Sequence, residues 1–287
     1  MSKEEAKPVA ATGADAIRRI FGREKVVIGV VHCLPLPGTP EHGGRPMSAI
    51  IERALADAAS YVDGGMDGLI IENHGDIPFL KPGELGPETS ACLAVIADRV
   101  RGRFAVPLGI NVLANAARHA FAVAKAADAA FIRVNQWANA YIANEGFIEG
   151  AAAPALRYRA AIGARGVAVF ADAHVKHGAH AIVADRPIGE LVRDVAFFHA
   201  DAVIATGART GDAASGQEID AIRTATHLPV LVGSGVTPDN VARILAKVDG
   251  VIVASALKQD GLWWNPVEPA RITGFMQAAA KVRGRVP

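Results

Sequence analysis

Two stretches of the chain set acid–base residues close together. Glu72-Asn73-His74 closes one short apolar run, and Asp172-Ala-His174 closes another, with Lys176 and His177 just beyond. Side chains alternate along a strand, so Asp172 and His174 are expected on one side. His32 and Asn111 end two further apolar runs, and Asn135 follows a third. If these runs converge, their ends make a ring of imidazoles, carboxylates and amides. Such a ring can move protons directly, with a carboxylate or imidazole as the base. It can equally hold a divalent metal, with His32, Glu72, Asp172 and His174 as candidate ligands. No spacing matches HExxH or another specific metal signature, so no cofactor is assigned and the metal-free reading stands first.

A second group of residues suits an anion. Val232-Gly-Ser-Gly-Val-Thr-Pro-Asp-Asn240 and Ala254-Ser-Ala-Leu-Lys258 each continue an apolar run. Gly233 and Gly235 let backbone amides approach a ligand with no side chain in the way. Thr237 before Pro238 is expected to cap the helix that follows. Gly233, Ser234, Gly235 and Ser255 are therefore the expected phosphate grip. Lys176 and Lys258 lie just beyond apolar runs and suit an anion better than a carbonyl. Since no apolar run contains a lysine, a Schiff-base aldolase is disfavoured. Gly-x-Ser-x-Gly, Walker and dinucleotide-binding patterns are absent. Cys33 reads as a small buried filler. Trp137, Tyr141, Trp263 and Trp264 suit pocket walls and core packing about equally.

The elements that must position these residues repeat. Four segments start with Asp and then run apolar, at 67–72, 128–133, 201–206 and 249–254. Between them lie shorter Val- and Ile-rich runs at 26–31, 106–110, 167–171 and 230–232. Runs of this kind suit parallel strands buried on both faces. Alanine-rich stretches at 48–63, 88–101, 113–126, 187–199 and 238–247 carry helical patterns. Eight strands alternating with helices predict an α/β fold, a single (β/α)8 TIM barrel over residues 1–287. An extra N-terminal helix at 15–21 should close the bottom, a last helix should cover 266–282, and residues 1–12 should form a flexible tail. The recurring Asp residues open their strands, at the end of a barrel where recurrence serves fold construction. The long, chemically loaded loops at 32–47, 73–87, 135–150, 172–186 and 207–217 mark the opposite, active face. Counting five residues on from each Asp gives Glu72, Arg133, Thr206 and Ala254. These should share an inward-facing layer, with Glu72 and Arg133 as a charged pair or joined through one water or ligand atom.

Composition bounds the partners. The 287 residues carry 30 basic and 29 acidic side chains, and a formal net charge of only +1 gives no electrostatic reason to expect nucleic acid. No run of 18 apolar residues predicts an integral membrane segment, and the first twenty residues lack a signal-peptide core. With only two cysteines, reduced thiols in the cytoplasm are the expectation. A homo-oligomer is compatible with all of this.

Several runs together resemble the BtpA/SgcQ family: Val31-His-Cys-Leu-Pro-Leu-Pro-Gly38, Asn111-Val-Leu, Phe131-Ile-Arg-Val-Asn135, Glu149-Gly150, Leu156-Arg-Tyr-Arg159, Val175-Lys-His177 and Leu231-Val-Gly-Ser-Gly-Val-Thr237. The resemblance spans about residues 25–275 and implies kinship with the ribulose-phosphate-binding barrels. It also implies two kinds of role, since the name-giving member is linked to photosystem I accumulation while others look like sugar-catabolism enzymes. Ala114-Asn-Ala116 and Ala143-Asn-Glu145 depart from the family's usual Arg-Asn-Asp and Thr-Asp-Gln. The expectation is an isomerase, epimerase or lyase acting on a small phosphorylated metabolite, a sugar phosphate or glycosyl phosphate derivative, by proton transfer. Glu72, Asp172, His174 and Arg133 would be catalytic, while Asn111, Asn135 and Lys176 join the phosphate loops in holding substrate. A metal-assisted hydrolase on the same face, or a non-enzymatic assembly factor for a membrane complex, are the alternatives.

Overall fold

A computed structural model describes residues 16–207 and 214–283. The expected tail at 1–12 and the middle of the 207–217 loop lie outside the described residues. The strands are β1 (Val26–His32), β2 (Gly68–Glu72), β3 (Leu108–Asn111), β4 (Phe131–Val134), β5 (Ala140–Ala143), β6 (Gly146–Glu149), β7 (Ala168–Asp172), β8 (Ala202–Thr206), β9 (Val230–Gly233) and β10 (Gly250–Val253). Between and around them run α1 (Ala16–Phe21), α2 (Met47–Asp63), α3 (Pro87–Arg103), α4 (Ala117–Ala126), α5 (Ala152–Ala161), α6 (Ile188–Phe197), α7 (Gly216–Ala225), α8 (Val241–Lys247) and α9 (Pro269–Ala280). Eight strands close a parallel barrel in the order β1-β10-β9-β8-β7-β4-β3-β2. The barrel is the (β/α)8 architecture that the apolar runs predict. Every barrel-strand residue is buried, as sheets covered by helices outside and side chains inside require.

The interior is filled by Val26, Ile28, Val30, Ile70, Phe131, Phe170, Ile204, Leu231 and Ile252. Helix α1 pushes Ala16 and Ile17 into this cluster, so the extra N-terminal helix does plug the bottom. Packing there is tight enough to exclude a methyl group. A Cβ on Gly109 would lie 2.3 Å from the Phe131 ring, which itself stacks on Phe170 at 4.5 Å. Gly109→Ala is therefore expected to cost about 1–3 kcal/mol of stability by overpacking. Urea denaturation checks this, and a change near zero would mean that the two rings yield.

Three of the recurring aspartates make one and the same clamp. Asp67, Asp201 and Asp249 each donate their backbone N–H to the carbonyl of Val27, Val169 and Val230 respectively. Their carboxylates take back the N–H of the same three valines, at 2.7, 2.9 and 2.8 Å. Each thus staples its strand to the preceding one at the barrel's N-terminal end, a fold-building role. Asp128 does not follow: it sits at φ 51°, and Ala130 makes the backbone bond, to Leu108. The alignment on Asp128 is therefore off by two residues. By the backbone bonds, the counterpart of Glu72 is Asn135, and Arg133 lies one inward-facing residue deeper. A shift of two preserves strand parity, so Arg133 still points inward.

Helix α4 starts at Ala117, four residues into the 113–126 pattern, and two other loops also differ from expectation. The 135–150 stretch, read as an irregular loop, contains the β5–β6 hairpin, whose Tyr141 and Ile148 pack on Val175 of the loop after β7. Helix α8 starts three residues later than the 238–247 pattern. The cause is Asn240, whose Oδ1 accepts the Thr237 N–H while its Nδ2 donates to the Gly235 carbonyl. These bonds hold 237–240 as a turn, so Asn240, and not Thr237, precedes the helix.

Candidate functional site

Cross-strand register assembles the centre of the site. His32 of β1 lies opposite Glu72 of β2, which lies opposite Asn111 of β3. One row at the barrel mouth therefore carries an imidazole, a carboxylate and an amide. Asn111 Nδ2 donates to Glu72 Oε2 at 2.6 Å. The other oxygen, Oε1, accepts from His74 Nδ1 at 2.9 Å and lies 3.8 Å from His32 Nε2. The two imidazoles stack at 4.4 Å, and Trp263 closes edge-on against both. His32 Nδ1 lies 3.1 Å from the Trp263 carbonyl. A carbonyl can only accept, so Nδ1 carries the proton and Nε2 offers its lone pair toward Glu72. Burial, with His74 beside it, pushes the His32 imidazole well below its ordinary value. Burial would raise the Glu72 carboxyl, but the hydrogen bond from His74, with the Arg133 charge behind, holds it well below the carboxylate range.

A second row is built by the next strand pair. Arg133 of β4 reaches across to Asp172 of β7, donating Nε to Oδ1 at 3.2 Å and Nη2 to Oδ2 at 3.1 Å. Asn135 Nδ2 donates to the same Oδ2 at 3.1 Å. Asp172 is thus fully engaged behind the guanidinium, and its side chain does not reach the cavity. Arg133 makes its direct, bidentate ion pair with Asp172 and not with Glu72, while Glu72 and Arg133 both face the two cavities, so the expected link through one water or ligand atom stays open. Burial works against the Arg133 charge, but Asp172 and Glu72 outweigh it and raise its proton affinity. Two amide oxygens, Asn111 Oδ1 and Asn135 Oδ1, are buried with no hydrogen-bond partner. Unpaired buried acceptors cost free energy unless a ligand satisfies them.

Two adjoining cavities of about 230 and 130 Å³ occupy the mouth. Both are walled by Glu72, His74, Arg133 and Lys176. The larger also takes in His32, Ser234, Gly235, Thr237 and Ser255. The smaller takes in Asn111, Asn135, Tyr141 and Glu145. Lys176 has no ion-pair partner among the described residues. Burial and the nearby Arg133 lower its proton affinity, opposed by Glu72 and Asp172.

Comparison with known proteins bears on what this arrangement is. The profile of the BtpA family matches residues 23–281. The chain belongs to the BtpA family. One relative, an uncharacterised protein of Archaeoglobus fulgidus, is 44% identical over 89% of this chain and 99% of its own. Another, the photosystem I biogenesis protein BtpA of Synechocystis, is 37% identical over 91% of this chain and 90% of its own. Among solved structures, phosphoribosyl anthranilate isomerase from Thermus thermophilus superposes with a TM-score of 0.53 at 13% identity, covering 90% of this chain and all of that one. That likeness speaks to the barrel fold alone.

Within this BtpA-family barrel, most of the expected residues converge, and three placements differ. His174 is not in the site. The chain bends after Asp172, so strand alternation no longer holds, and the His174 ring lies against His180 at 3.6 Å. It faces a separate pocket with Thr206 and Glu218, and burial beside His180 lowers its pKa to about 4. Lys258 meets no anion from solution: it is fully buried, with Nζ 2.7 Å from Asp57. Gly233 does not line the cavity, although a Cβ there would approach Ile204 at 3.0 Å and Arg133 at 3.6 Å. His74, which sequence reasoning left out of the metal candidates, stands at the centre. Its signal was its place two residues after Glu72, the parity that Asp172 and His174 fail to keep. Cys33 is buried filler, and burial pushes its thiol up. Trp137 is core, its indole N–H donating to the Phe198 carbonyl, while Trp264 is exposed. Of the family departures, Ala114, Ala143, Asn144 and Glu145 line the smaller cavity. Asn115, which the family's usual pattern shares, braces the fold between the departures at 114 and 116, accepting the Gln136 N–H and donating to the Glu149 carbonyl.

Proposed function

We propose that this BtpA-family chain is an enzyme acting on a small phosphorylated, hydroxyl-rich metabolite, a sugar phosphate or glycosyl phosphate derivative, by proton transfer of the isomerase or lyase type. The observation that carries this reading is the pair of cavities sharing Glu72, His74, Arg133 and Lys176. The larger is bordered by the turns after β9 and β10, the position where barrels of this kind grip phosphate. Ser234, Gly235 and Ser255 would hold the phosphate there. The smaller holds the unpaired Asn111 and Asn135 acceptors, which would receive sugar hydroxyl protons. The four shared residues lie between, where the reacting carbons of a molecule spanning both would sit.

Arg133, held rigid by Asp172, is placed to stabilise negative charge developing on a substrate oxygen. Asp172 acts in this reading through Arg133 and not as a base. Lys176, with lowered proton affinity and no ion-pair partner, is the group suited to exchange a proton with carbon or oxygen. The named activity of the Thermus thermophilus neighbour, isomerisation of a phosphoribosyl compound, is of the same class. Because family departures line the smaller cavity, the hydroxyl-bearing end is where this chain's substrate would differ from those of its relatives.

Inorganic phosphate tests the grip without a known substrate. Millimolar phosphate is expected to raise the thermal midpoint by binding the folded state. Gly235→Asp, which sets a carboxylate against the anion at a φ of 65° that Asp tolerates, should remove that protection. Protection that survives the change would place the phosphate elsewhere.

A further inference from the structure

We propose that His32, Glu72 and His74 bind one divalent transition ion of the zinc class at the barrel mouth, with an open coordination position facing the cavity. Among the described residues these three are the group of His, Cys, Asp and Glu side chains whose ligand atoms gather within 4.8 Å of one another. Two imidazoles and one carboxylate are a donor set suited to zinc and its neighbours, and poorly suited to magnesium or calcium. Three protein ligands leave one tetrahedral position for water or substrate.

Two of the three ligand spacings bracket the tetrahedral value, and rotation of the stacked His32 and His74 rings would close the third, which lies within 4.8 Å. Ligands at zinc-like bond lengths in a tetrahedron stand about 3.3 Å apart. Glu72 Oε1 lies 2.9 Å from His74 Nδ1 and 3.8 Å from His32 Nε2, on either side of that value. Surrounding groups already orient the ligands. The Trp263 carbonyl takes the His32 Nδ1 proton and leaves Nε2 as the donor atom. Asn111 occupies Glu72 Oε2 and leaves Oε1 facing the two rings. Such outer-shell bonds are the usual companions of a metal site. His74 would shift its ring proton from Nδ1 to Nε2, a change of tautomer needing no further reactant. All three side chains line the larger cavity, so the open position faces the space shared with Arg133, Lys176 and the phosphate turns. An ion there would draw a carbonyl or hydroxyl oxygen and polarise it. The expected ligands Asp172 and His174 play no part, the first engaged by Arg133 and the second turned away.

The inference rests on the placement of three side chains and not on the phosphate grip, so the two fail separately. Tag-free protein stripped with a chelator and titrated calorimetrically with zinc chloride, without phosphate, should bind one ion per chain. Magnesium should give no binding at the same concentrations. Cobalt(II) in place of zinc should give the visible bands of a four- or five-coordinate nitrogen–oxygen site. His74→Ala alters the least buried ligand and should weaken zinc by at least about 100-fold, since even outer-shell losses cost 10–100-fold. Glu72→Gln should act likewise, and His227→Ala, at the opposite end of the barrel, should leave binding unchanged. Stoichiometric zinc with undiminished affinity in His74→Ala would overturn the proposal, as would wild-type protein that binds no zinc. Phosphate protection retained in His74→Ala would show that only the metal site had been lost.

Discussion

Asp172→Ala is expected to cost about 3–5 kcal/mol of folding stability, because it leaves a buried guanidinium without its counter-charge. Read from its sequence position, Asp172 is a catalytic carboxylate. The structure gives it another part. Its side chain is fully buried, and both oxygens are taken by Arg133 and Asn135. Removing the carboxylate strands the charge of Arg133 and leaves the Asn135 amide without its acceptor. Urea unfolding followed by circular dichroism measures the loss. A double variant, Asp172→Leu with Arg133→Met, should recover much of it, since a buried pair replaced by apolar groups of similar size is often neutral. A loss below about 1 kcal/mol for Asp172→Ala would mean that Arg133 swings to Glu72 or reaches water.

The second large effect is expected far from the cavity. Lys258→Ala should also destabilise by about 3–5 kcal/mol, because it abandons Asp57 in the core. Lys258 follows β10, and Asp57 lies on the buried face of α2, so their bond ties the last βα loop to the first barrel helix. Asp57 Oδ2 accepts from Lys258 Nζ at 2.7 Å, and Oδ1 accepts the Val267 N–H at 2.9 Å. Arg53 stands one helical turn away, 3.3 Å from Oδ1. It is only partly buried and gives partial compensation. Lys258→Met keeps the stem volume and removes the charge, so it should cost nearly as much if charge, and not packing, is decisive. Equal stability of Lys258→Met and wild type would assign the effect to packing.

Strand identity was legible in the sequence because it is a local property. Val- and Ile-rich runs buried on both faces have few other conformations open to them, and eight of them alternating with helices leave few closures. The Asp repeat was legible because, at three of its four strand starts, a carboxylate finds the same backbone N–H one strand away. The inward parity of Glu72 and Arg133 also followed from alternation alone, and it survived a two-residue error in alignment. The resemblance carried by short motifs led to the right family.

What the sequence could not decide was which inward side chain meets which. Arg133 pairs with Asp172 because β4 and β7 are hydrogen-bonded neighbours, whereas β2 lies two strands from β4. Glu72 takes His32 and Asn111 because register sets those three side by side. His74 turns into the site and His174 away from it, although each follows its carboxylate by two residues. Alternation ends where the ladder ends, and beyond that point neighbouring chain decides: Trp263 packs on one ring and His180 on the other. Lys258 reads as a cation suited to an anion until α2 brings Asp57 over it. Local periodicity says which way a side chain faces while the strand lasts; its partner is set by strands and loops that meet only when the barrel closes.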